Sequence, residues 1–195
     1  MDADAFAQHA IFAVVSGGMN AIIAERIYLR CMAALNASAS ATSVFKHPGK
    51  SLAIDHIWSE RQRYYQCYLE ASNRLTFLGT LPWIGPVLAL HLAKLLGHDV
   101  AKPDVHLERL ARRERTTTAK LCRRLSGQTG YRVATIDSIL WRACADGLLH
   151  SQVYEREGWS AAIAPQVTRE AWSPIKAAAI AIGPVPAEPD ASPAA

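Results

Sequence analysis

"LPWIGPVLALHLAKLLGHDVAKPDVHLERL", residues Leu81–Leu110, decides how this chain is read. A Leu-Pro-x-Ile-Gly turn opens an apolar helix. Pro86 falls at its first position, where the missing N–H costs nothing. Ile84, Val87, Leu88, Leu92, Leu95 and Leu96 recur at helical steps as its expected buried stripe, and Gly97 stops it. A polar turn follows, and a carboxylate, Asp104, then stands just ahead of a helix expected over 105–114. A turn of this kind exposes the backbone N–H groups at the start of the second helix, which suits a DNA phosphate without any charged side chain. Many helical hairpins are only connectors, however. Asp is also among the best helix N-caps, so the local sequence by itself explains Asp104 as a cap.

Outward from this stretch the periodicity is helical nearly everywhere, and consecutive β-branched runs are scarce. Helices are expected over 4–15 and 20–35, separated by Ser16-Gly17-Gly18 and ending at the polar "NASASATS". Ser51 reads as the N-cap of a helix from Leu52, and 59–74 reads as amphipathic, with Tyr64, Cys67, Tyr68 and Ala71 on one side. Further helices are expected over 116–125, 133–145 and 165–181. The fold class expected is all-α, a two-lobed helical bundle built as one domain over 1–183. A disordered Pro- and Ala-rich tail is expected over 184–195.

At 195 residues, half of them hydrophobic, the chain can bury a sizeable core without disulfides. The net charge of +4 is unevenly spread. Nine Lys or Arg against three acids lie between Lys102 and Arg132, which is either a solvated face or a nucleic-acid footprint. The four cysteines, Cys31, Cys67, Cys122 and Cys144, form no C-x-x-C pair and read as free thiols, with no metal site. No apolar run reaches the length of a membrane span, and the acidic start "MDADAFAQHAIF" lacks the basic region of a secretion signal. A cytoplasmic location is expected, nucleoid-associated if the source is bacterial.

The hairpin and the acid together resemble the helix-hairpin-helix (HhH-GPD) DNA glycosylase superfamily, whose signature is L-P-G-I-G-x-x-x-A followed by D-x-H-x-x-R. The matching residues are Leu81, Pro82, Ile84, Gly85 and Ala89, then Asp104, His106 and Arg109. The resemblance covers about residues 5–147 and implies a monomer that binds double-stranded DNA and flips a base into a cleft between two lobes. Asp104 would then be the catalytic carboxylate, stabilising an oxocarbenium-like sugar as the N-glycosidic bond breaks. Leu81, Pro82, Trp83, Ile84, Gly85 and Val87 would meet the DNA backbone. Arg109 and Arg113, one turn apart, suit phosphates or pairing with Glu108 and Glu114. Val87 occupies the position of the Schiff-base lysine that bifunctional members use, and the four-cysteine iron–sulfur loop is missing. The implied enzyme is therefore monofunctional, with no cofactor beyond a monovalent cation at the hairpin.

Trp83 departs from the usual hairpin glycine, and the early loop Ser16–Asn20 lacks the glutamines that fill the gap left by a flipped base in many relatives. Met19 or Asn20 takes that wedge role or is simply a turn residue. Trp58, Tyr131 and Trp141 are candidates for the base pocket, with Tyr64 and Tyr65 behind them, although aromatics at helical spacing also build cores. His106 reads as packed or hydrogen-bonded, and Asp137 as a cap, an ion-pair partner or a group facing the cleft. Four functions follow: excision of a damaged, mismatched or modified base; modification of hypermodified thymines, as in phage-associated relatives; DNA binding without catalysis; or, least favoured, a purely structural helical protein.

Overall fold

A computed structural model describes residues 1–163. The expected helix over 165–181 and the tail over 184–195 lie outside the described residues. The elements are α1 (Ala3–Ser16), α2 (Ala21–Asn36), a 3-10 turn (Ala41–Ser43), α3 (Pro48–Ser59), α4 (Arg61–Glu70) and α5 (Arg74–Leu78), then α6 (Pro86–Leu95), α7 (Val105–Arg113), α8 (Thr118–Thr129), α9 (Val133–Ala145), α10 (Ser151–Glu157) and α11 (Trp159–Ala162). The architecture is all-α; a lone antiparallel bridge, Leu149 to Ile163, is the extent of β pairing among the described residues.

The first core is organised by α1. The Asp2 carboxylate accepts from Ala5 N at 2.8 Å and caps it. Phe6, Ile11, Val14 and Val15 are fully buried, each contributing about 1.5–3 kcal/mol of apolar burial. The small residues Ala7, Ala10 and Ala13 are buried as well and let α2, α3, α4 and α6 pack around it. A helix apolar on nearly every side has to sit in the centre, and α1 does. Phe45, Ile54, Ile57, Tyr68, Leu78, Leu81, Ile84 and Leu92 complete this core.

Beyond Leu95 the buried side chains form separate clusters. Leu110, Leu121, Cys144, Leu149 and Tyr154 make one; Ala101, Leu107, Cys122 and Ile136 make the other. The chain thus crosses from one core to the next through a linker over 96–104. No helix among the described residues is long and apolar enough to cross a membrane.

Several boundaries differ from the sequence expectation. Helix α3 begins at Pro48, capped by His47, whose ring nitrogen accepts from Lys50 N at 3.3 Å. Ser51 is therefore not the cap: it is buried one turn in, and its hydroxyl donates to the His47 carbonyl at 2.9 Å. Helix α4 stops at Glu70, with Tyr68 its buried residue, so Ala71 falls beyond it. Val87 is 46% exposed and stands outside the α6 stripe, which is buried through Ala89, Leu92 and Ala93.

Candidate functional site

The Leu81–Ile84 segment is a tight turn in which Ile84 N donates to the Leu81 carbonyl at 3.0 Å. Leu81 and Ile84 are buried and anchor it. Pro82 takes the second position and Trp83, at φ 64°, the third, the arrangement of a type II turn. That third position wants glycine; an L-residue there costs about 1–2 kcal/mol. The backbone takes the left-handed bend here with a tryptophan side chain. The indole is laid across Gly49 of α3, where a Cβ would come within 2.3 Å of Trp83 Cζ3. It meets the His47 ring edge-on at 5.4 Å, and half of it faces solvent. Gly85, extended, then opens α6 without any side-chain cap, so the Val87 and Leu88 N–H groups have no capping side chain.

The same end of α3 holds the loop between α1 and α2. Lys50 is buried, and its ammonium donates to the carbonyls of Val15 (3.1 Å) and Gly17 (2.7 Å) at the end of α1. Burial pushes its pKa down, yet a cation at a helix C-terminus meets the negative end of the dipole. Gly17 packs closely on α6, where a Cβ would lie 3.0 Å from the Leu88 Cδ1 methyl and push that side chain aside. Turn, early loop and α3 start are therefore one block.

Asp104, partly exposed, caps α7 in a particular way. Its Oδ1 accepts from both His106 N and Leu107 N, each at 2.9 Å. Its Oδ2 takes no hydrogen bond from the described residues. Capping therefore occupies one oxygen and leaves the other open. His106 is hydrogen-bonded, its Nδ1 2.9 Å from Ser151 Oγ on α10.

The approach to Asp104 is tied to α9 at successive points. Arg132 donates to the Gly97 carbonyl at 2.6 Å, the Asp99 carboxylate accepts from Ala134 N at 2.8 Å, and the Asp137 carboxylate accepts from Lys102 N at 2.5 Å. Asp137 is 2% exposed and forms an ion pair with Lys94 from the last turn of α6. Burial drives its pKa up, while Lys94 and the Lys102 amide pull it back. Burial pushes Cys122 up to about 12 and Cys144 up to about 11 and raises Asp137, with the Asp104 carboxylate a smaller contribution in the same direction to each. Beside Lys102 and Lys94, the partly buried His91 is pulled down to about 4, mainly by desolvation and then by the two lysines. Its ring lies 6.4 Å from that of Phe12.

The remaining sequence candidates are scattered. Met19 packs partly buried against the first core, and Asn20 caps α2, its side-chain oxygen accepting from Ile22 N at 3.0 Å. Trp58 lies under the Arg61 guanidinium, 4.5 Å from its ring centre, about 13 Å along α3 from Gly49. Tyr131 is exposed between α8 and α9. Trp141, 37% exposed, shares the face of α9 that carries Asp137 and Cys144. Arg109 and Arg113 turn to α10 rather than to Glu108 and Glu114: Arg109 lies 4.0 Å from Glu155, and Arg113 donates to the Arg156 carbonyl at 3.1 Å. Sequence reasoning did not single out His91, Lys50 or the Lys94–Asp137 pair as site residues. The cue for Lys50 was present in "HPGK"; the pair, 43 residues apart, left no local trace.

A cavity of about 250 Å³ lies against the linker, lined by Leu90, Val100, Pro103, Thr118 and Arg123 among others; Asp104 is not in its wall. Among the described residues no group of three or more His, Cys, Asp or Glu could hold a metal ion. The hairpin residues Gly79–Gly85 carry no acid, so neutral carbonyl oxygens are what a monovalent cation would find there. No family model, curated protein or solved structure matches the chain.

Proposed function

We propose that the chain is a monofunctional DNA N-glycosylase of the helix-hairpin-helix kind, with Asp104 as its carboxylate. One observation carries the reading above the others: the Asp104 side chain caps α7 through Oδ1 alone, and Oδ2 takes no hydrogen bond from the described residues. A cap needs only one oxygen. The open one, on a partly exposed residue held by two N–H groups, is oriented and available to face developing positive charge. The left-handed bend at Trp83 and the uncapped start of α6 support the hairpin half of the reading, since a helix start with no capping side chain leaves backbone donors for a phosphate. The separation of the first core from the two clusters beyond the linker supports a two-lobed arrangement with a cleft.

In this mechanism the duplex is gripped at the turn, and a base leaves the stack. As the N-glycosidic bond lengthens, charge grows on the sugar, and Asp104 Oδ2 stabilises that charge more than the neutral ground state, so the gain falls on the rate. Water adds to the anomeric carbon and yields an abasic site. Val87 offers no amine, so the strand stays intact.

The test is a panel of duplexes carrying alkylated, deaminated, oxidised and hypermodified bases, assayed for released base and alkali-labile sites. Asp104→Asn keeps a cap oxygen and removes the charge, so duplex binding should persist while release falls by about 100-fold or more. Release at the wild-type rate by that variant refutes the proposal. Incorporation of a co-substrate with the glycosidic bond intact would assign base modification, and salt-dependent binding without product a binding module.

A further inference from the structure

The Lys94–Asp137 pair does more than hold helices together. Burying a carboxylate and an ammonium costs several kcal/mol of lost hydration, which apolar side chains of the same volume would avoid. What an apolar pair could not do is accept the Lys102 N–H. Asp137 uses one oxygen for Lys94 and the other for that amide, at 2.5 Å, and Lys102 is two residues ahead of Asp104. The Gly97–Arg132 and Asp99–Ala134 contacts fix the linker farther back. The Asp137 contact is the last before the α7 cap, so it sets where the Asp104 backbone enters the helix.

We infer that Asp137 is a positioning residue: through the Lys102 amide it fixes the approach of the segment that carries Asp104, with Lys94 as the counter-ion that makes the buried carboxylate tolerable. This rests on the excision reading, because it matters to function only if Asp104 must face a sugar. Asp137 itself touches no substrate.

The probe needs no knowledge of the base. A duplex with a pyrrolidine abasic nucleotide places a cation where the sugar's charge would develop, and the same duplex with a tetrahydrofuran abasic nucleotide is its neutral match. Wild-type protein should bind the pyrrolidine duplex about tenfold or more tighter than the tetrahydrofuran duplex, as expected of a charged contact, and Asp104→Asn should abolish that preference. The informative variant is the double Lys94→Met, Asp137→Leu, in which the desolvation saved by removing the buried pair offsets the loss of the Lys102 N–H acceptor, so the melting temperature should stay within roughly a few degrees of wild type. It should bind the tetrahydrofuran duplex as wild type does and lose most of the preference for the cation. Asp137→Asn with Lys94→Met, which offers a neutral acceptor to the Lys102 N–H, should recover part of it.

If the double variant keeps the full preference, Asp137 is merely structural and the inference falls alone. If the wild type shows no preference, or binds neither duplex, the excision reading falls and the inference with it.

Discussion

The contact between Trp83 and Gly49 can be measured by a double-mutant cycle that needs no activity. Trp83→Gly relieves about 1–2 kcal/mol of left-handed strain. It forfeits roughly half the burial of an indole, about 2.5 kcal/mol, since the side chain is 51% exposed. The added freedom of glycine in the unfolded chain costs about 0.5–1 kcal/mol more. The net expectation is a loss of about 2 kcal/mol, or about 4–8 °C in melting temperature for a chain of this size. Gly49→Ala in the wild type should cost about 1–3 kcal/mol, because its Cβ would lie 2.3 Å from Trp83 Cζ3. In the Trp83→Gly background the same alanine meets open space and should stabilise by up to about 1 kcal/mol as a better helix former. The coupling between the sites is then about 3 kcal/mol, read from urea midpoints at unchanged slope. An alanine at 49 that costs the same in both backgrounds would show that the indole does not rest on Gly49, and the account of the turn would fail.

Other expectations follow from the same site. Asp104→Ala should lower stability by about 1 kcal/mol through loss of both cap bonds, whereas Asp104→Asn changes it by a few tenths; equal urea midpoints for the two variants would contradict the capping geometry. Lys50→Met leaves the Val15 and Gly17 carbonyls without their donor and should destabilise by about 1–3 kcal/mol, with faster amide exchange confined first to residues 15–20. His91 has a folded pKa of about 4 against 6.5 when unfolded. Above 6.5 neither state binds the proton; as pH falls from 6.5 to 4 only the unfolded chain takes it up, so stability drops by up to about 3 kcal/mol and then levels off. His91→Gln should remove that part of the slope, and identical pH dependence in the variant would count against the buried neutral imidazole.

The parts of the structure written in local pattern were legible in the sequence. Helix α9 runs from Val133 to Ala145 as expected, because its apolar spacing has no rival, and α7 starts at Asp104's cap. The start of α3 was misread because Ser51 looked like a cap, while His47 with Pro48 behind it supplied one earlier. Helices α10 and α11 were not foreseen: both are too short to show a period, and α10, largely polar, is held by Tyr154 against the end of α7 and by Arg112–Glu155. In the site, the turn and Asp104 could be read because each is a few consecutive residues. The cluster of His91, Lys94, Lys102 and Asp137 could not, because only tertiary packing brings α6, the linker and α9 together.

The stitching of residues 97, 99 and 102 to the start of α9 has a mechanical consequence. A hinge needs a few residues free to change their dihedrals, and among the described residues the linker from the first core to the later clusters is pinned at three points. Any partner that spans both halves must do the bending itself. For a duplex, the cost of deformation then falls on the nucleic acid, and soft steps such as mismatches or damaged pairs are admitted more cheaply than intact ones, before any atom of the base is read.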